Sequence, residues 1–153
     1  MTFMVTKEKI AEFLSQKSIA VVGVSRSGKK FGNSVLKELK QKGYKTFPVN
    51  PNASEIDGEE CYSLVSKIKE KVGAAIIVIP SKESEKVVRD AVASGVKNIW
   101  LQQGSETEET INFCIQNDIN VVYGECILMF TEPAAFFHKA HRWVNGLFGK
   151  LPR

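Results

Sequence analysis

The sequence is poor in the residues that build metal sites and disulfide frameworks. Its 153 residues include two histidines and three cysteines, and the cysteines Cys61, Cys114 and Cys126 stand far apart without a CxxC pair. An odd, scattered set of cysteines argues against a disulfide framework and against structural zinc, which takes four ligands. His138 and His141 lie three residues apart in a predicted helix, but no third ligand is near them. We therefore expect no bound metal.

Long apolar runs and one-sided positive charge are also missing. No apolar segment approaches the roughly 20 residues needed to cross a bilayer. The first residues, MTFMVTKEKIAEFL, carry charges inside their apolar stretch and no small-residue cleavage site. The net charge is only +4, and Lys and Arg are spread among Asp and Glu, unlike the basic face of a nucleic-acid-binding protein. These features predict a cytoplasmic protein with no integral membrane segment and no nucleic-acid partner.

What the sequence does contain is an alternation of short apolar strands and amphipathic helices. The predicted strands are 19–23, 44–49, 60–62, 74–79, 98–102 and 119–123, and the predicted helices are 6–16, 32–41, 63–68, 84–94 and 105–117. A capping box of Ser105 and Glu108 is expected to begin the last of these helices. Near-continuous apolar strands such as IAVVG and AAIIVI are typical of a parallel sheet that is covered on both faces.

These elements predict one α/β domain over residues 1–153. Its core, residues 17–127, is expected to be a single doubly wound parallel sheet of the Rossmann type, with strand order 3-2-1-4-5-6 and a short third strand. Extra helices are expected at the N-terminus and over residues 132–149. The latter segment is amphipathic, and it is expected to pack on its own domain or to contact a second copy or another protein. Lying on a membrane surface is the disfavoured alternative, because few basic residues flank its apolar stripe.

A ligand of such a sheet binds outside the carboxyl ends of the strands, where the strand order reverses. Four loops reach that crevice: residues 23–33, 50–51, 80–81 and 102–104. The first, GVSRSGKKFGN, is glycine-rich and opens a helix, so its backbone N–H groups and the helix dipole favour a phosphate. Three basic side chains add positive charge there, namely Arg26, Lys29 and Lys30. The alternative is a tight strand-to-helix turn whose basic residues are merely solvated.

The end of the second predicted strand disfavours NAD. An NAD-binding domain places an acidic residue there to accept hydrogen bonds from the ribose hydroxyls, whereas this chain has Asn50-Pro51. NADP remains an alternative, because nearby basic residues offer a site for its extra phosphate.

Four motifs in order resemble the CoA-binding domain family, which is similar to the N-terminal domain of the succinyl-CoA synthetase α-subunit. They are GVSRSGKKFGNSVLKELKQKGYKTFPVNPN, IIVIPS, WLQQG and the cysteine that follows the last strand. The resemblance runs from about residue 19 to residue 126 and implies that coenzyme A or an acyl-CoA binds in the crevice. It implies cofactor contacts from Gly23, Val24, Ser25, Arg26, Ser27, Lys29, Lys30, Phe31, Asn33, Asn50, Pro51, Ile79, Pro80, Ser81, Gln102, Gln103, Gly104 and Cys126.

The resemblance also assigns parts of coenzyme A to these loops. It implies that Ser25, Arg26 and Ser27 contact the phosphates and that Lys29 and Lys30 neutralise the 3′-phosphate. Asn50 and Pro51 are implied to border the adenosine, and residues 79–81 to line the crevice. Residues 102–104 are implied to hold the pantetheine arm, and Cys126 to lie near the thiol of coenzyme A. The phosphorylated histidine of succinyl-CoA synthetase belongs to a second domain of that enzyme, which this chain does not match. We therefore expect a non-catalytic binding or sensor module.

Other functions remain open from the sequence alone. One is an enzyme, either NADP-dependent or acting on a CoA thioester, with Cys126 as the only candidate nucleophile; no histidine lies in a crevice loop to activate it. Another is a protein-interaction domain with a vestigial pocket. Cys126 itself is either a redox-active thiol that forms a disulfide with coenzyme A or a small buried hydrophobe.

Overall fold

Helices and strands alternate through residues 6–130, the part of the chain that the computed structural model describes. The α-helices are α1 (Lys7–Leu14), α2 (Phe31–Gln41), α3 (Ser81–Ala93) and α4 (Glu108–Gln116). The strands are β1 (Ser18–Val22), β2 (Lys45–Val49), β3 (Glu55–Ile56), β4 (Glu59–Glu60), β5 (Ala74–Ile77), β6 (Asn98–Leu101) and β7 (Asn120–Tyr123). Short 3₁₀ turns cover Val65–Lys67 and Ile127–Met129. The predicted helix over 132–149, with His138 and His141, lies outside the described residues.

Five of the strands form one parallel sheet in the order β2-β1-β5-β6-β7. β1 lies where the strand order reverses, between β2 and β5. Its Val22 pairs with Val49 of β2 on one side and with Ile77 of β5 on the other. The apolar, β-branched composition of these strands suits a sheet that is buried on both faces. The structure thus confirms the predicted doubly wound, Rossmann-like fold.

The predicted short third strand differs from the structure. Tyr62 makes a single parallel bridge to Val49, which marks its expected place beside β2. The residues before it fold back instead, because Asp57 and Gly58 both have positive φ (49° and 81°) and close a two-residue hairpin between β3 and β4. Positive φ at both central positions is the geometry of the tightest hairpin turns. The turn therefore removes Glu60 from the sheet and leaves five strands.

Two apolar layers cover the two faces of the sheet. On one face α1 and α2 pack against a layer that includes Ile19, Val21, Ile76, Trp100 and Val122. On the other face α3 and α4 pack against a layer that includes Ala20, Val22, Ile77, Leu101 and Val121. Alternate residues of each strand supply the two layers, as the pleat requires. Because α2 and α3 lie on opposite faces, the chain leaves the end of β1 toward one face of the sheet and the end of β5 toward the other.

Helix α1 is fixed at the opposite end of the sheet from the crevice. Thr6 caps its N-terminus by accepting a hydrogen bond from the Lys9 N–H at 3.3 Å. The Asn120 amide donates to the Lys9 carbonyl and to Asn98 Oδ1, both at 2.9 Å. Phe13 packs edge-on against Trp100 with ring centroids 5.2 Å apart. These contacts confirm the predicted extra N-terminal helix, although it is shorter than the pattern indicated.

Candidate functional site

The crevice lies at the carboxyl ends of β1 and β5, where the predicted switch in strand order occurs. The Val78 N–H donates to the Val22 carbonyl at 2.8 Å, and the Gly23 N–H donates to the Val49 carbonyl at 3.3 Å. These bonds extend the strand ladder past the last sheet residues. Beyond them the chain turns into α2 on one face and into α3 on the other, so the two loops separate and leave an opening.

Two glycines set the shape of the loop that follows β1. Gly23 has φ +117°, and a Cβ there would lie 2.1 Å from the Val78 carbonyl oxygen. A Cβ on Gly32 would lie 2.4 Å from the Gly23 carbonyl oxygen. Such distances leave no room for a side chain, so the start of α2 packs directly on the end of β1. The N-terminus of α2 is thereby brought to the crevice.

The serines of this loop bond to the loop itself. The Ser25 and Ser27 hydroxyls lie 2.8 Å apart, and the Ser27 N–H donates to Ser25 Oγ at 3.1 Å. The Lys29 N–H in turn donates to Ser27 Oγ at 3.3 Å. Since one hydroxyl donates to the other, the pair has one further hydroxyl proton, for which residues 6–130 provide no acceptor. The pair therefore shapes the loop and retains one donor.

Positive charge and backbone donors occur together at the start of α2. Arg26, Lys29 and Lys30 are exposed, and none of them forms a salt bridge with another described residue. Lys30 is the N-cap of α2 but gives no side-chain cap. Within residues 6–130, the N–H groups of Phe31 and Gly32 also have no acceptor. A helix N-terminus with free N–H groups and three nearby cations has the chemistry of an anion site.

Phe31 is the apolar part of this side of the crevice. It is 41% exposed on the first turn of α2 and is one of two large apolar side chains that are classed as exposed in the described part of the chain. The cost of exposing an aromatic ring makes it a natural contact for a flat ligand group.

The asparagines Asn33 and Asn50 bond to the loop backbone. The Asn33 side chain bonds both backbone groups of Ser25, at 2.9 and 3.0 Å. The Asn50 amide donates to the Val24 carbonyl at 2.8 Å. The sequence placed both residues at the crevice, but it gave no sign of these bonds, because they join residues 8 and 26 positions apart. Pro51 is exposed in the turn that follows Asn50.

The other side of the crevice is held by Ser105. Its hydroxyl donates to the Ile79 carbonyl at 2.6 Å and accepts from the Ile79 N–H at 3.1 Å. The predicted capping box is therefore wrong: Thr107 is the N-cap of α4, and its side chain accepts from the Thr110 N–H. Ser105 is committed to Ile79 and cannot cap the helix as well. Helix α3 begins at Ser81, directly after Pro80 and three residues earlier than predicted.

The glutamines tie the loop after β6 to the loop after β7. Gln102 Oε1 accepts from the Ile127 N–H at 3.2 Å, and Gln103 Nε2 donates to the Gly124 carbonyl at 3.3 Å. Gly104 continues the turn, with its N–H bonded to Glu106 at 2.7 Å. These bonds fix the segment that carries Cys126 relative to the crevice loop of residues 102–104.

The three cysteines have different surroundings. Cys114 is buried on α4, and burial raises the pKa of its thiol to about 12. Burial also raises the pKa of the Cys61 thiol. Cys126 is only partly buried and immediately precedes the 3₁₀ turn Ile127–Met129. Of the three, only Cys126 combines partial exposure with a position next to the crevice loops.

Glu125 is a residue that the sequence did not single out. It is 6% exposed, and burial raises the pKa of its carboxyl group above the ordinary value. The Trp100 indole N–H donates to its backbone carbonyl at 3.1 Å. A lone glutamate in a loop carries no pattern that reveals burial, so the structure alone shows it.

A separate open groove of about 380 Å³ lies along the outer side of α2. It shares Gly28 and Asn33 with the first crevice loop and ends at Asp57 of the hairpin turn. Two absences concern the described residues 6–130. These residues contain no group of three or more His, Cys, Asp or Glu that could hold a metal ion. Nor does this part of the chain include a helix long and apolar enough to cross a membrane.

The sequence model of a CoA binding domain matches residues 17–132, which is more than half of the chain. The chain therefore belongs to the CoA-binding domain family, as its four motifs indicated. The match covers all four crevice loops and the segment that carries Cys126.

Relatives of known name agree with this membership. The chain is 36% identical over 136 residues to an ADP-forming acetate–CoA ligase of Methanocaldococcus jannaschii, covering 88% of this chain and 19% of the ligase. It thus spans about a fifth of the length of that curated relative. It is also 32% identical over 126 residues to the uncharacterized protein YneT of Bacillus subtilis, covering 80% of this chain and 91% of YneT.

A solved structure of similar size shares the fold. It is a conserved hypothetical protein from Pyrococcus furiosus, with a TM-score of 0.70 and 38% sequence identity. The superposition covers 74% of this chain and 97% of that one.

Proposed function

We propose that this chain binds coenzyme A or an acyl-CoA in the crevice between β1 and β5, as a binding or sensor module that makes and breaks no bond. The observation that carries the proposal is the first loop. There Arg26, Lys29 and Lys30, which form no salt bridge within residues 6–130, precede a helix whose first two N–H groups have no acceptor in the same described part of the chain. Coenzyme A carries a diphosphate and a 3′-phosphate, so it offers anions for both the helix N-terminus and the cations. Family membership supports the same ligand.

The proposed orientation follows from the chemistry of the two sides. The phosphates and adenosine lie against residues 23–33 and Asn50-Pro51, with the Phe31 ring available to the adenine. The pantetheine arm runs along residues 79–81 and 102–104 toward Cys126. In this orientation the charged end of the ligand meets the charged loop, and the uncharged arm meets the more buried side.

The end of β2 supports coenzyme A over a nicotinamide dinucleotide. Asn50 stands where a ribose-binding carboxylate would be, and both ends of its side-chain amide are engaged, with the Val24 carbonyl and with the Asn52 N–H. It is therefore a neutral amide, already bonded within the protein, where an NAD-binding domain has a free carboxylate for the ribose hydroxyls.

A non-catalytic role is supported by the groups around the crevice. The four crevice loops, residues 23–33, 50–51, 80–81 and 102–104, contain no histidine, aspartate or glutamate to act as a base for the Cys126 thiol. A nucleophile without a base is a poor catalyst of acyl transfer. The ligase activity of longer relatives is accordingly not part of the proposal.

Parallel calorimetric titrations test the proposal. The purified chain is titrated with CoA, acetyl-CoA, NAD and NADP at one ionic strength. We expect saturable binding of the two CoA ligands and none of the dinucleotides. Preferential binding of NADP would replace the proposal with a reductase, and binding of none would favour a protein-interaction domain. Slow hydrolysis of acetyl-CoA by the chain would contradict the non-catalytic role.

A further inference from the structure

The side chain of Asn33 is built into the loop that it follows. It lies on the first turn of α2 and is 8% exposed. Its Oδ1 accepts from the Ser25 N–H at 2.9 Å, and its Nδ2 donates to the Ser25 carbonyl at 3.0 Å. One side chain thus satisfies both backbone groups of one residue, as a neighbouring strand would do.

Asn50 bonds to Val24, the residue before Ser25, from the side of β2. Its Nδ2 donates to the Val24 carbonyl at 2.8 Å, and its Oδ1 accepts from the Asn52 N–H at 2.7 Å. Its backbone N–H donates to the Tyr62 carbonyl at 2.9 Å, which anchors it beside β2. Val24 and Ser25 are therefore bonded to two separate elements, α2 and the end of β2.

We infer that Asn33 and Asn50 are positioning residues that hold the first loop in its binding conformation before the ligand arrives, rather than contacts to the ligand. The inference rests on the proposed function and deepens it. The oxygen and nitrogen of both side-chain amides already have partners within the protein. A ligand group could take the place of these partners only by releasing the loop.

A brace is needed here for two physical reasons. Arg26, Lys29 and Lys30 lie within five positions of one another and form no salt bridge within the described residues, so their charges repel one another. An unbraced loop would also lose conformational entropy on binding, which lowers affinity. Bonds to Val24 and Ser25 fix the base of the loop, so this entropy is lost during folding and not during binding.

The test compares Asn33→Ala with Asn112→Ala, which makes the same chemical change at an exposed position of α4. Two quantities are measured for each: the hydrogen-exchange rate of the Ser25 amide in the free protein, and the Kd values for CoA and dephospho-CoA. For Asn33→Ala we expect Ser25 exchange to accelerate at least about tenfold and both Kd values to rise by the same factor, about tenfold. Asn112→Ala should change none of them.

Equal losses for the two ligands are the signature of positioning, because the brace acts on the whole loop and not on one phosphate. A loss for CoA alone would show that Asn33 serves the 3′-phosphate directly and would overturn the inference. So would unchanged Kd values together with faster Ser25 exchange, since the bond would then be merely structural. If the wild-type chain bound neither ligand, the proposed function would fail first and the inference with it.

Asn50→Ala provides a second variant should Asn33→Ala fold poorly. It removes the bond to Val24 and leaves the Asn33 bonds to Ser25 in place. We expect the same equal rise in the two Kd values, measured at a temperature where circular dichroism shows the variant to be folded. Wild-type affinity in this variant would overturn the part of the inference that concerns Asn50.

Discussion

The two sides of the crevice end at the same edge of one sheet but are built in opposite ways. On the side of β1, the loop of residues 23–33 is largely exposed, and its hydroxyl and amide bonds stay within the loop or reach it from asparagines. On the side of β5, β6 and β7, the buried side chains of Ser105 and Gln102 join one loop to the next. The first side presents charge on a braced loop, and the second presents a rigid wall. These two surfaces suit the proposed ligand, which has an anionic head and a long, uncharged arm.

The largest expected effect concerns the close contact between Gly23, after β1, and Val78, after β5. Gly23→Ala should lower the free energy of unfolding by about 3 kcal/mol, because its Cβ would overlap the Val78 carbonyl in a left-handed backbone. Urea unfolding measures it. The control is Gly28→Ala, which has φ +74° but nothing within 4 Å of the new Cβ, so only about 1 kcal/mol should be lost. Equal losses for the two variants would show that close approach does not shape this loop.

The rigidity of the second side is tested by Ser105→Ala. This change leaves the Ile79 N–H and carbonyl without their partner and should cost about 2 kcal/mol in urea unfolding. Ser84→Ala is the matched control, since the Ser84 hydroxyl is buried and finds no hydrogen-bond partner among residues 6–130, so its removal should cost almost nothing. If the two variants were equally stable, the bonds of Ser105 would not hold the wall together.

The charge on the first side is tested by the double variant Arg26→Ala/Lys30→Ala. We expect the Kd for CoA to rise about tenfold and the Kd for dephospho-CoA to change much less, because we propose that the removed cations meet the 3′-phosphate. Lys69→Ala/Lys71→Ala, which removes two exposed charges elsewhere, should leave both Kd values unchanged. Equal losses for the two ligands in the crevice variant would refute this assignment of the charges.

The smallest effect is the pH dependence of the buried Glu125. Burial raises the pKa of its carboxyl, so the folded protein holds the proton more tightly than the unfolded chain. The stability that this carboxyl contributes is thus fully present below its unfolded pKa and is lost as the pH rises through its folded pKa. Glu125→Gln should therefore gain stability relative to wild type between pH 4.5 and pH 8, by less than about 1 kcal/mol. Urea unfolding at the two pH values measures it.

The control for this prediction is Glu55→Gln, which alters an exposed carboxylate of the hairpin. Its stability relative to wild type should not vary with pH over the same interval. If Glu125→Gln instead lost stability relative to wild type as the pH rose, the Glu125 carboxylate would be stabilised in the folded protein. That result would contradict the direction of its pKa shift.

Much of this architecture follows from local pattern. Apolar strands that end in glycine or proline, with helices between them, were sufficient to predict the sheet, its switch point and the four crevice loops. The third strand differed because the Asp57-Gly58 turn pairs β3 with β4, and the competition between hairpin and sheet is decided by tertiary contacts. The sequence placed Asn33, Asn50 and Gln102 at the crevice, and Ser105 at the start of a helix, but it could not reveal their partners. Those bonds depend on where distant backbone groups meet in the folded chain.

Chemical-shift mapping of the isotope-labelled chain during addition of CoA tests the central claim most directly. We predict that the amide signals that move lie in the four crevice loops, with the largest changes at residues 25–32 at the phosphate end and smaller ones near residues 102–104 and 126. Dephospho-CoA should reproduce the pattern except close to Arg26, Lys29 and Lys30. Shifts confined to the groove on the outer side of α2, or no shifts at saturating CoA, would contradict the account.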